Sequence, residues 1–108
     1  MIMILSTNGA IATLESPDQE AYAYCFGSGM AAITTITQML QSGDHIIACN
    51  DLYGGTIRLF NQVLSRYDIS VTYTDFISHD FSSCVQENTK LLWLETPTNP
   101  LLSVHDIQ

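Results

Sequence analysis

The chain has 108 residues, the size of one ordinary domain, and sets 3 Lys+Arg against 11 Asp+Glu for a formal net charge of −8. So acidic a chain has no basic stripe for a nucleic-acid backbone and no polybasic patch for an anionic membrane surface, so neither is an expected partner. Hydrophobic residues at 46% against 13% charged exclude a disordered tail, and Lys90, the one lysine, limits lysine chemistry to that position.

Residues 1–10 read as a short N-terminal segment. Its apolar start (Met-Ile-Met-Ile-Leu) has no preceding basic charge and is too short for a signal peptide, and no apolar run reaches the ~20 residues of a membrane helix. Residues 21–26 (Ala-Tyr-Ala-Tyr-Cys-Phe) form the first predicted strand, closed by Gly27. Residues 30–40 place Met30, Ile33, Ile36, Met39 and Leu40 on one helical face, with Gly43 positioned as the left-handed residue at its C-terminus. Residues 45–49 (His-Ile-Ile-Ala-Cys) read as a strand covered on both faces. A second helix starts near Thr56 and spaces Ile57, Phe60, Val63, Leu64 and Tyr67 helically. An alternating strand at 69–73, a short helix at 81–87 and a strand at 90–95 complete the pattern. Cys25, Cys49 and Cys84 include no Cys-x-x-Cys pair, and the first two lie in apolar runs as buried thiols. A reducing, cytoplasmic setting is expected. His45, His79 and His105 lack ligand spacing and read as structural.

Strands alternating with helices predict an α/β fold, a doubly wound and mostly parallel sheet, because a helical crossover returns the chain to start a parallel neighbour. Ligands in such sheets bind beyond the carboxyl ends of the strands, here the loops at 27–30, 50–56, 75–80 and 95–100. The first loop, Gly27-Ser28-Gly29-Met30-Ala31-Ala32, offers two glycines for a sharp turn and the N–H groups of Gly29, Met30 and Ala31 for an anion at a helix N-terminus, with the Ser28 hydroxyl beside them. The same string satisfies a dinucleotide fingerprint, with Asp51 as the ribose acid, and a ligand-free tight turn is the plain alternative. In the second loop, Tyr53 before Gly54 and Gly55 can stack on a planar ring and lend its phenol to proton transfer, and Arg58 can meet an anionic substrate group. A helix-start turn with an ordinary packed tyrosine reads the same string. In the last loop, Pro97 and Pro100 stiffen the frame that carries Glu95 and Asn99, and either X-Pro bond is a candidate for cis. A rigid strand-ending loop is again the plain alternative.

Taken together, Ser28-Gly29-Met30-Ala31-Ala32, Gly43-Asp44, Asp51-Leu52-Tyr53-Gly54-Gly55-Thr56 and residues 93–100 (Trp-Leu-Glu-Thr-Pro-Thr-Asn-Pro) resemble the Cys/Met-metabolism, or transsulfuration, family of pyridoxal-phosphate enzymes. The wording is nearest its cystathionine γ-lyases. The resemblance covers residues 11–108 and about a quarter of the family's length, and implies part of the large, pyridoxal 5'-phosphate-binding domain of fold type I. It implies that Gly29 and Met30, with Ser28, bind the cofactor phosphate; that Tyr53 stacks on the ring and assists proton transfer; that Asn99 and Glu95 belong to the cofactor side; and that Arg58 lies at the substrate side. The implied substrate is a sulfur amino acid, the implied chemistry elimination or replacement at its γ-carbon, and the implied assembly a homotetramer.

The family's Schiff-base lysine has no counterpart here, since Lys90 falls at the strand edge opposite the ligand loops. The chain is therefore expected to be a fragment that is inactive alone, and its unfinished sheet edge predicts a poorly folded product. A non-catalytic truncated subunit that pairs with full-length enzyme and a Rossmann-like nucleotide-binding module are the alternatives.

Overall fold

The computed structural model describes Tyr24, residues 26–76, residues 81–98, Leu101, Leu102 and Val104. The chain divides at Thr37 into two compact units, residues 1–37 and 38–108. The strand expected at 21–26 lies outside the described residues except for Tyr24 and Phe26, and Cys25, His79, Asn99 and His105 lie outside them as well.

In the first unit, helix α1 spans Gly29–Thr37. Ser28 is its N-cap: the Ser28 Oγ accepts the Ala31 N–H at 3.1 Å, and the Ser28 carbonyl accepts the Ala32 N–H at 3.2 Å. Ala32, Ile33, Ile36 and Thr37 are its buried positions. The helix ends three residues before the expected Leu40. Thr37 Oγ1 donates to the Thr34 carbonyl, the acceptor the Gln38 N–H would use to carry the helix on, while Thr35 Oγ1 donates to the Ala31 carbonyl within the helix. Met39, expected on the apolar face, is 68% exposed in consequence.

The second unit is built on three parallel strands: β1 at His45–Cys49, β2 at Ser70–Thr74 and β3 at Thr89–Trp93. Their spatial order is β2-β1-β3. All five residues of central β1 are buried, as its apolar run predicts. His45 is buried too, and its ring nitrogens meet the hydroxyls of Thr89 and Thr72 at 2.8 Å each, one on either flanking strand. That satisfies both polar ends of the imidazole inside the sheet, as the structural reading of His45 requires. Strand β2 starts one residue later than expected and does not alternate, being half-buried after an exposed Ser70. Strand β3 pairs Thr89 with His45 and then Leu91 with Ile46. Lys90 is the extra residue of a bulge at the edge where the strands begin.

The crossover from β1 to β2 starts as helix α2, Gly54–Arg58, continues in π geometry over Leu59–Val63 and closes as a 3₁₀ turn, Leu64–Tyr67. Thr56, Phe60 and Leu64 are buried at a spacing of four. Phe60 stands edge-on to Trp93 of β3, centroids 5.5 Å apart and planes at 87°, which fastens the crossover to the sheet. Val63 and Tyr67, expected on this face, are 41% and 64% exposed. The wider π turn adds a residue and throws the positions after it out of 3.6-residue register. Gly43 does take a positive φ, +91°, but not as a helix cap. It sits in the turn before β1, its N–H on the Asp68 carbonyl at 2.8 Å. The helix expected at 81–87 is a single 3₁₀ turn, Phe81–Cys84.

Candidate cofactor site

β2 and β3 flank β1 on opposite sides, so the strand order reverses between β1 and β3. The crevice between the carboxyl ends of those two strands is the topological switch point of an open parallel sheet. Two of the motifs meet there.

After β1, Tyr53 (φ −53°, ψ 134°) stands just ahead of α2. Its carbonyl accepts the N–H groups of Thr56 at 2.9 Å and Ile57 at 3.2 Å. Its own N–H donates to Glu95 Oε2 at 2.9 Å. The backbone of Tyr53 is thus tied on both sides while the residue remains 46% exposed. Arg58 follows one turn later, and its Nη1 lies 3.6 Å from where a Cβ on Gly54 would stand. The guanidinium is folded back over Gly54, beside the Tyr53 loop.

After β3, Glu95 Oε1 accepts the buried Thr56 hydroxyl at 3.1 Å and the Trp93 indole N–H at 3.3 Å. Thr56 and Trp93 were not singled out from the sequence as site residues, although Thr56 stands three residues after Tyr53 in the motif, one helical turn away. The Thr96–Pro97 bond is cis, one of the two candidates, and Thr98 is buried. Asp51 Oδ2 is buried without a hydrogen-bond partner among the described residues. Burial pushes the Cys49 thiol above its ordinary value, and the carboxylates of Glu95 and Asp51 add to the rise against hydrogen bonding from the backbone. Cys49 is the buried thiol its apolar setting predicts.

The Ser28 loop belongs to the other unit. A Cβ built on Gly27 or Gly29 meets no atom within 4 Å, and neither glycine takes a positive φ. These glycines therefore leave open space before the backbone and do not make the left-handed turn that a sharp bend would use. Ala31, expected to offer its N–H to an anion, spends it on Ser28 Oγ. Gly29 and Met30, in the first helical turn, have N–H groups with no intrahelical acceptor, and the Ser28 hydroxyl proton is left to donate. Open space, two amide donors and a hydroxyl suit a phosphate.

The small parallel sheet with its helical crossover is part of an α/β domain of the kind that pyridoxal-phosphate enzymes of fold type I carry. The solved structure titled "Crystal structure of metB from Corynebacterium glutamicum" superposes with a TM-score of 0.72 at 43% identity, covering 76% of this chain and 22% of that one. The family model described as "Cys/Met metabolism PLP-dependent enzyme" matches residues 6–108, and the chain belongs to that family. A cystathionine gamma-lyase of Dictyostelium discoideum is 46% identical over 88 residues, covering 81% of this chain and 23% of the relative. A probable cystathionine gamma-synthase of Herpetosiphon aurantiacus is 42% identical over 103 residues, 94% of this chain and 32% of the relative. The chain thus spans roughly a quarter to a third of these relatives. The family's cofactor is pyridoxal phosphate.

Proposed function

We propose that these 108 residues form the phosphate cradle and the ring-covering wall of an enzyme that eliminates or replaces groups at the γ-carbon of sulfur amino acids. The observation that carries the reading is Tyr53, whose backbone is fixed at the switch point while its side chain stays accessible. When bound, pyridoxal phosphate supplies the electron sink that stabilises negative charge on the substrate carbon. Gly29 and Met30 hold the cofactor phosphate through their N–H groups and Ser28 through its hydroxyl. The Tyr53 ring covers one face of the cofactor ring, and its phenol moves a proton to or from the substrate. Arg58 takes an anionic group of the substrate. Asn99 hydrogen-bonds at the cofactor's phenolic oxygen.

Lys90 is not the lysine that carries the cofactor. It occupies the bulge at the far edge of β3, about 10 Å of strand from the Trp93 end at ~3.3 Å per residue. That role falls to a lysine outside these 108 residues. The whole protein is a cytoplasmic homotetramer in this reading; no described helix is long and apolar enough to cross a membrane.

The test uses Trp93, the one tryptophan. Titration with pyridoxal phosphate quenches its emission saturably, and Tyr53→Ala weakens binding about two- to tenfold, the equivalent of ~0.5–1.5 kcal/mol of ring contact. No saturable quenching by a chain that shows a cooperative urea transition, or equal affinity in Tyr53→Ala, defeats the reading.

A further inference from the structure

We propose that Glu95 is a positioning residue: it takes no part in binding the cofactor directly and acts by fixing where the Tyr53 ring stands. The significance of that role for cofactor binding rests on the function proposed above; the clamp itself does not.

Glu95 lies two residues beyond the end of β3, yet its carboxylate reaches across to the element that follows β1. Oε2 takes the Tyr53 N–H, 42 positions away. Oε1 takes both the Thr56 hydroxyl, 39 positions away, and the Trp93 indole N–H. A carboxylate has about four lone-pair sites, and three are filled by protein donors. Little capacity remains for a ligand. What the carboxylate does control is the entry of the chain into α2. Tyr53 is extended while the residues after it are helical, so its N–H is the last backbone handle before the helix fixes the rest. Held there by Glu95 and through its carbonyl by Thr56 and Ile57, Tyr53 has its Cα–Cβ direction set from both sides.

The donor pattern explains why an acid occupies position 95. The backbone amide and the indole can only donate, and the Thr56 hydroxyl donates as placed. A glutamine has the same shape but one acceptor oxygen, and its NH₂ would face one of these N–H groups. Glu95→Gln therefore preserves the volume of the site and breaks half of the clamp.

Two measurements on the 108-residue chain test this. The first is the ¹H–¹⁵N spectrum without cofactor. Glu95→Gln moves either the Tyr53 amide or the Trp93 indole resonance upfield, according to which of the two N–H groups its NH₂ faces, and leaves those of β1 in place. Thr56→Val, which removes a donor from Oε1 alone, moves the Trp93 indole and spares the Tyr53 amide. Unchanged Tyr53 and Trp93 resonances in Glu95→Gln overturn the clamp. The second is pyridoxal phosphate affinity in a double-mutant cycle. Glu95→Gln weakens binding by no more than Tyr53→Ala does, about two- to tenfold, and has no effect in the Tyr53→Ala background. A loss that persists without the Tyr53 ring means that Glu95 touches the cofactor itself, and overturns the proposal. If the unaltered chain binds no pyridoxal phosphate, the functional reading fails, and the resonance shifts alone uphold or overturn the clamp.

Discussion

Phe60→Leu probes the joint that carries the Tyr53 loop. Phe60 is 1% exposed and meets Trp93 edge-on at 5.5 Å, so the helix bearing Tyr53 and Arg58 is fastened to β3 through this pair. Leucine keeps an apolar side chain of similar reach, and a near volume-conserving swap costs under about 1.5 kcal/mol. The edge-to-face contact contributes a further ~0.5–1.5 kcal/mol, so the expected loss is about 0.5–3 kcal/mol. A domain of this size has only about 5–15 kcal/mol in total. Urea unfolding, followed by Trp93 emission and by far-UV circular dichroism, gives the loss. The aromatic share comes from a cycle with Trp93→Leu read by dichroism, where Phe60 and Trp93 couple by about 0.5–1.5 kcal/mol. Zero coupling would refute the reasoning, because the helix would then be held by general burial and not by this contact.

His45→Leu deprives the Thr72 hydroxyl of its partner, while the Thr89 hydroxyl keeps the Gln86 N–H at 2.8 Å. One stranded hydroxyl costs about 1–3 kcal/mol, and adding Thr72→Val recovers about 1 kcal/mol of it, since removing both partners is nearly neutral; urea midpoints of the single and double variants check this. Cys49 predicts an alkaline weakness. Its folded-state value is raised by burial, so the stability it contributes is complete below the ordinary thiol range near pH 8.5–9 and is lost as pH climbs, because the unfolded chain then sheds a proton that the folded chain retains. Tyr73, also raised by burial, acts with the same sign at higher pH. Cys49→Ala should therefore lose less stability than the unaltered chain between pH 8 and 10, measured by urea unfolding at each pH.

Central β1 was legible because four consecutive apolar residues, Ile46 to Cys49, follow His45 in a strand buried along its whole length, and the parallel arrangement followed from the helical pattern between strands. The loops were legible for a different reason. Gly29, Tyr53, Glu95 and Pro97 are residue types whose backbone or side-chain chemistry is conspicuous beyond a strand end. What stayed hidden is set by single hydrogen bonds. The early end of α1 goes with the turn of one threonine hydroxyl, that of Thr37 onto the Thr34 carbonyl, and the π turn depends on a backbone choice that apolar spacing does not encode. The bulge at Lys90 belongs to the pairing of two strands and not to either alone. The role of Glu95 was hidden likewise, because its donors come from positions 53, 56 and 93, which only the folded sheet brings together.

The separation of those donors has a consequence in time. During synthesis at about 5–20 residues per second, roughly 2–8 s pass between the making of Tyr53 and that of Glu95, 42 positions later. Through that interval the aromatic wall has no carboxylate to lean on, and β1 lacks its second neighbour. Pairing so distant in sequence is the slow part of folding a parallel sheet. With the order β2-β1-β3 the crevice between β1 and β3 is complete only once β3 and Glu95 have been made, so a nascent chain halted before Glu95 carries the tyrosine motif without its support.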